Sequence, residues 1–240
     1  GYSSAASDVY KRQNPGNPTG AVLTPEEMRM LVDVAKAHDL FIIGDEAYRE
    51  FVYAGEPLQS MGQFEDAAEN VIVIDTVSKR FSACGARIGC MISRNKELMA
   101  QAMKYAQCRL SVPTLDQVAA AALYTVGPDY FAAVREEYKR RRDTVVNKLH
   151  EIPGVVCECP RGAFYIMAAL PVDDADAFQK WLLEEFEDNG DTVMFAPGEP
   201  FYGTPGKGKN EIRIAYVLKQ ADLERAMDLL AKGIAAYNAR

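Results

Sequence analysis

Two hydrophobic periods alternate along this chain. Thr24-Pro25-Glu26-Glu27 opens a helix: Thr24 can cap it, Pro25 suits the first helical position and Glu27 completes a capping box. The helical period runs to about His38. Leu40-Phe41-Ile42-Ile43-Gly44-Asp45 is then a continuous apolar run closed by an acid, the pattern of a buried parallel strand. Val71–Asp75 is a second such strand and Arg87–Ile92 a third. Lys96–Leu110, Thr114–Val126 and Tyr130–Ile152 read as three helices, the last stopped by Pro153-Gly154. Strands follow at Val155–Cys159 and Ala163–Ala169, a helix at Ala175–Asn189, strands at Thr192–Ala196 and Glu211–Val217, and a helix at Gln220–Tyr237. This order predicts an α/β protein. A partial, mostly parallel large-domain sheet with helices occupies 14–127, a long linking helix 128–152, and a small C-terminal α+β domain 153–240.

Residues 1–13, GYSSAASDVYKRQ, are polar and aperiodic. Asp8–Gln13 is what GAT-GTG-TAT-AAG-AGA-CAG encodes, a string resembling the end of a transposon adapter used in DNA library preparation. We expect 1–13 to be adapter-derived and set them apart from the fold. They also lack the basic start and apolar stretch of a secretory leader.

Composition narrows the function classes. The 240 residues carry 27 Lys+Arg against 34 Asp+Glu, a net charge of −7, which disfavours nucleic acid as a partner. The run Lys139-Arg140-Arg141-Arg142 reads as a solvated helix face. No apolar run is long enough to cross a membrane. The cysteines are Cys84, Cys90, Cys108, Cys157 and Cys159; their odd number and lack of a C-x-x-C pair point to a reducing cytoplasm. The two histidines, His38 and His150, fall late in helices without metal-spaced partners, so no metal site is expected.

Chemistry concentrates in segments beside strand ends, where ligands gather in open α/β sheets. Asn14-Pro15-Gly16-Asn17-Pro18-Thr19-Gly20 is a rigid turn from which asparagine amides can project; alone it is only a turn. Asp45-Glu46-Ala47-Tyr48 follows a buried strand, so Asp45 must be paired or hydrogen-bonded; helix capping is the plain alternative. Thr76-Val77-Ser78-Lys79-Arg80-Phe81 and Gly85-Ala86-Arg87-Ile88-Gly89 gather hydroxyls, a lysine and arginine. Hydroxyls and a guanidinium suit a phosphate, and a desolvated lysine can form a Schiff base; an ordinary surface loop is the alternative.

Asn17 and Asp45 are 28 residues apart and Lys79 and Arg87 are 8 apart. In this order N-P-x-N-P-T-G, D-E-x-Y and S-K-x-F-x-x-x-G-x-R-x-G together resemble the fold-type I aminotransferases of class I and II, which use pyridoxal 5'-phosphate. The resemblance runs from Asn14 to the C-terminus and implies the PLP-dependent transferase-like fold. It implies that Lys79 holds the cofactor aldehyde and shuttles the substrate proton. Asp45 would pair with the pyridine nitrogen, an attraction of about 4 kcal/mol at ~4 Å and an effective dielectric of ~20. Asn17 and Tyr48 would bond the ring oxygen; Arg87, with Ser78 and Thr76, would bind the phosphate. Arg213, alone among the apolar residues of Ile212–Tyr216, would clamp the substrate α-carboxylate, and Asn17 would also face substrate. Pro160–Tyr165 and Ala196–Phe201 resemble family turns near the substrate and receive no direct catalytic role.

Family members are longer, and the resemblance begins in the middle of their large domain. A missing N-terminal half would carry a phosphate-binding loop, an aromatic that stacks on the ring and an arm. The family's site lies at a homodimer interface. The implied reaction moves an amino group between an L-amino acid and a 2-oxo acid, with aspartate and 2-oxoglutarate as the first expectation; aromatic amino acids and alanine stay open. Two alternatives keep the same residues: a carbon–sulfur lyase of the same fold, and the aminotransferase-like effector domain of a transcription regulator.

Overall fold

The computed structural model describes residues 9–53 and 58–240. They fall into two units, 9–16 with 21–133, and 17–20 with 134–240. The division lies inside the long helix, at Val134, whereas the sequence places boundaries on either side of that helix.

In the first unit, four strands stand in the order β1 (Val9–Gln13), β2 (Phe41–Asp45), β3 (Val71–Thr76), β4 (Gly89–Ile92). The first three are parallel and β4 is antiparallel, in line with the mostly parallel sheet expected. Helix α1 (Pro25–Ala37) begins as the sequence predicts. The Thr24 hydroxyl accepts from Glu27 N and the Glu27 carboxylate accepts from Thr24 N. Its buried face, Met28, Val32 and Ala35, packs with Ile42, Val71 and Val73 of the strands and with Met61, Phe64 and Ala67 of the connecting turns. A second cluster joins Val77 and Phe81 to Ala120, with Leu123 and Phe131 against it. It links α2 (Val77–Arg80) to α4 (Thr114–Leu123). Helix α3 (Lys96–Arg109), between them in sequence, carries no buried residue.

Residues 1–8 of the segment set apart above lie outside the described residues. Its end, Val9–Gln13, is strand β1, paired with β2 over its whole length. A strand edge asks only for backbone N–H and C=O groups, so a polar segment can supply it. The side chains of Val9, Tyr10, Lys11 and Arg12 are all exposed.

In the second unit, an antiparallel sheet runs β5 (Val156–Cys157), β6 (Tyr165–Ala169), β8 (Glu211–Ala215), β7 (Ala196–Pro197). The inward residues Ile166, Ala168, Ile212 and Ile214 alternate along the strands. Helices α5 (Pro128–His150), α6 (Ala175–Glu184) and α7 (Gln220–Asn238) contribute Val145, Leu149, Phe178, Leu182, Met227 and Leu230 to the buried set. Two expectations are corrected. The strand expected over Thr192–Ala196 is regular only at Ala196–Pro197, and helix α6 stops at Glu184 rather than Asn189. The reason is local: Thr192 Oγ1 donates to Leu182 O (2.7 Å), and Asp188 and Asp191 form a turn held by Arg225. The run 139–142 is also not wholly solvated. Arg140 is exposed, but Arg142 is buried and donates to Asp143 and Pro160 O. Four consecutive residues sweep around a helix at 100° each, so one of them must face inward.

Phe178 is fully buried, with its ring 5.0–6.3 Å from those of Trp181, Phe195 and Tyr237. Phe178→Ala should cost about 3–5 kcal/mol of stability. Met194→Ala, at a side chain 74% exposed, should stay within about 0.5 kcal/mol. Urea unfolding of the two variants checks the contrast; equal losses would contradict this core.

Candidate active site

Strands β2 and β3 are parallel neighbours, so their carboxyl ends lie side by side, and the chemistry of the first unit collects there. Asp45, the last residue of β2, is 8% exposed. Its Oδ2 accepts from Gln13 Nε2 (3.1 Å) and lies 3.0 Å from Lys11 Nζ; its Oδ1 accepts from Ala47 N (3.3 Å). Lys11 and Gln13 reach it because they share a face of β1, two residues apart, in register with β2. Asp45 therefore both caps the turn after its strand and holds a cation. Tyr48, in the same turn, is buried.

At the end of β3 the chain turns into α2. The Thr76 hydroxyl accepts from Ser78 N (3.1 Å) and lies 2.8 Å from Ile88 O and 2.9 Å from the Ser78 hydroxyl. Thr76 is thus the cap of α2, engaged in shaping the turn. Lys79 is half-buried, its Nζ 3.7 Å from Cys84 Sγ, and that thiol donates to Ser78 O (3.1 Å). Arg87 is exposed and adopts a left-handed backbone (φ 55°), with Nη1 donating to Cys84 O (2.9 Å). A non-glycine residue held there carries strain of order 1–2 kcal/mol.

The asparagine-rich turn is divided between the units. Asn14 is buried in the first: its N–H donates to Asp45 O (3.0 Å) and its Oδ1 accepts from Leu23 N (3.0 Å). Asn17 belongs to the second, where its Oδ1 accepts from Arg213 Nη1 (3.0 Å). These two residues are 196 apart in sequence. Gly20 makes this possible. At φ +67° it approaches so closely that a Cβ would stand 2.5 Å from Pro160 Cβ, and its carbonyl accepts from Arg161 N and Gly162 N. Arg213 lies between two rings, 4.7 Å from the centroid of Tyr165 and 4.8 Å from that of Phe201, while its Nε is buried without a hydrogen-bond partner among the described residues. The segments that supply both rings had been assigned no direct role. The signal for both was the resemblance of these proline-glycine segments, which end in Tyr165 and Phe201, to family turns near the substrate.

Reasoning from sequence also missed Glu46, Arg49, Glu50 and Arg80, which fill the space behind the strand ends. Glu46 is 2% exposed; its Oε1 accepts from Ser60 Oγ (2.7 Å) and Met61 N (2.9 Å), and Oε2 lies 3.3 Å from Arg49. Burial is the largest influence on this carboxyl and pushes it above the usual carboxylate range. The folded protein thus binds this proton more tightly than the unfolded chain. The stabilising contribution is complete in acid and is lost as the pH rises through the folded value. Glu46→Gln lacks that loss, so its melting temperature relative to the parent should rise between about pH 4 and about pH 8. A difference that stays flat or falls over that range would contradict the assignment.

The donor set suits a cofactor with an aldehyde, a protonated ring nitrogen and a phosphate. Asp45 Oδ2 already takes an ammonium at 3.0 Å, the bond a pyridinium N–H would make. The Lys79 amine lies 3.7 Å from the Cys84 thiol, Ser78 precedes it in the chain, and Arg87 donates to the carbonyl of that same Cys84.

Residues 12–230 match the family model of aminotransferase class I and II. The chain is 32% identical over 234 residues to the aspartate aminotransferase of Bacillus subtilis (strain 168), covering 94% of this chain and 57% of that protein. It is 32% identical over 223 residues to aromatic-amino-acid aminotransferase 2 of Thermococcus litoralis, covering 91% and 55%. The crystal structure of the aromatic aminotransferase from Pyrococcus horikoshii OT3 matches with a TM-score of 0.84 at 28% identity, covering 98% of this chain and 62% of that one. The aspartate aminotransferase from Thermus thermophilus with maleate matches with a TM-score of 0.81 at 27% identity, covering 94% and 56%. The chain thus spans little more than half the length of these relatives. It belongs to the class I and II aminotransferases, the fold-type I family that works with pyridoxal 5'-phosphate.

Proposed function

We propose that this chain is part of a transaminase that moves an amino group between an L-amino acid and a 2-oxo acid. The observation that carries the reading is the pairing of a cation-holding carboxylate, Asp45, with a half-buried amine, Lys79, at the carboxyl ends of neighbouring parallel strands. Pyridoxal phosphate, when bound, supplies an electron-withdrawing ring that stabilises negative charge at the substrate Cα. The Asp45 carboxylate would hold a proton on the ring nitrogen, and Tyr48 would hold the ring oxygen. Ser78 and Arg87 take the phosphate, with Thr76 setting the Ser78 hydroxyl. Lys79 would hold the aldehyde, and its amine would carry a proton at the substrate Cα.

In the second unit, Arg213 meets the substrate α-carboxylate, with the Asn17 amide oxygen accepting from its Nη1. The Tyr165 and Phe201 rings flank the guanidinium, whose planar fork suits a carboxylate. Aspartate with 2-oxoglutarate is the first substrate pair, supported by the names of relatives such as the Bacillus subtilis protein. The Thermococcus litoralis name keeps aromatic amino acids as its competitor.

The working protein is a homodimer. Tyr105 and Leu110 at α3 and Leu115 and Val118 on α4 are 67–85% exposed, apolar area that a second subunit would cover. The cytoplasm is the proposed compartment, supported by five free cysteines. No helix among the described residues is long and apolar enough to cross a membrane.

Borohydride treatment of the protein loaded with pyridoxal phosphate, followed by peptide mapping, should mark Lys79; a mark on another lysine would sink the assignment. Arg213→Lys replaces a planar fork by a point charge and should lower kcat/KM for aspartate by about 10- to 100-fold, chiefly through KM. Steady-state assays with aspartate and with an aromatic amino acid check both this loss and the substrate order. An unchanged KM would remove Arg213 from the carboxylate.

A further inference from the structure

The charged groups behind the β2 and β3 strand ends close into a ring. Arg80 Nη2 lies 3.1 Å from Asp75 Oδ2, and Arg80 Nε lies 3.2 Å from Glu50 Oε1. Arg49 completes it from the other side, 4.0 Å from the same Asp75 oxygen and 3.9 Å from the same Glu50 oxygen. The side chains are only 8% (Asp75), 12% (Arg80) and 22% (Glu50) exposed, so these charges are not free to solvate separately. The ring joins two segments. Arg49 and Glu50 follow Tyr48 in the turn that begins at Asp45, while Asp75 and Arg80 bracket Thr76–Lys79.

Helix α2 is four residues long, too short to hold itself by its own hydrogen bonds. Its direction is set by what anchors its ends: the Thr76 cap at one, and Phe81 and the clamped Arg80 at the other. Arg80 follows Lys79 directly, so the place of its guanidinium fixes the peptide from which the lysine side chain departs. Only a guanidinium spans both carboxylates; an ammonium at this position is a point charge that satisfies one of them.

We propose that Arg80 is a positioning residue: held between Asp75 and Glu50, it fixes Lys79 relative to the segment Asp45–Tyr48 and so governs how readily the Lys79 amine takes an aldehyde held there. This rests on the role given to Lys79 above. The test follows the rate of borohydride trapping of pyridoxal phosphate on Lys79, its pH dependence, and circular dichroism for the fold. Arg80→Gln should trap about tenfold more slowly or worse, with the pH of half-maximal trapping displaced, and Arg80→Lys should recover only part of the rate. Thr24→Ala, which removes a helix cap elsewhere in the same unit, should lower the melting temperature without slowing trapping. Trapping by Arg80→Gln at the parental rate and pH overturns the proposal, and so does a Thr24→Ala loss as large as that of Arg80→Gln. If Arg80→Gln does not fold, Glu50→Gln, which leaves Arg80 on Asp75, is read in the same way: slower trapping supports the clamp, and the parental rate overturns it. A parent that traps cofactor on some other lysine takes down both the function and this inference, whereas a parent that traps on Lys79 isolates the inference.

Discussion

Asp45 and Asp75 lie in the last two residues of neighbouring parallel strands, each less than one-tenth exposed. Two carboxylates so placed need cations and donors beside them, because burial of an unpaired charge costs several kcal/mol. Much of the local architecture answers that demand. Lys11, Gln13 and the Ala47 amide serve Asp45, while Arg80, Arg49 and the Thr76 amide serve Asp75. The two carboxylates are treated differently. Asp75 is shut into a ring with Arg49, Arg80 and Glu50, whereas the cation on Asp45 belongs to a lysine that is itself 62% exposed. One acid is enclosed by arginines; the other is paired with a side chain that reaches solvent.

The same economy of means shows in the turn Asn14–Gly20. Its first asparagine spends both backbone and side chain on local bonds, including one to the Asp45 carbonyl, and so steadies the strand end. Its second, which belongs to the second unit, accepts from Arg213 in that unit's sheet. Gly20, with a positive φ and no room for a Cβ, is what lets the chain run against Pro160 and Gly162. Arg213 is then held on three sides, by an amide oxygen and two rings, and a guanidinium so confined loses little further freedom when it meets a carboxylate.

The elements were legible in the sequence wherever a pattern was local and strong. The box Thr24–Glu27 and the apolar runs ending in Asp45 and Asp75 appear as written. Period gives way where tertiary bonds intervene. Thr192–Phe195 looks like a strand by composition, yet Thr192 is drawn to the end of α6 and the regular pairing shrinks to two residues. The basic run on α5 reads as solvated, yet Arg142 turns in to meet a proline carbonyl. The polar end of residues 1–13 carries no strand period, and backbone pairing alone makes it one.

The chemical types were written in the sequence: a lysine after two hydroxyls, an acid closing a buried strand, an arginine in an apolar strand. Those are properties of residue identity and short spacing, which a chain carries whether folded or not. What only the folded chain decided was company. Asn17 meets Arg213 across 196 positions, Tyr165 and Phe201 close on that guanidinium, and Arg49, Glu50, Asp75 and Arg80 form one ring. Such partnerships arise where strands and turns distant in sequence are brought within a few ångströms, and no local period encodes which charge will face which.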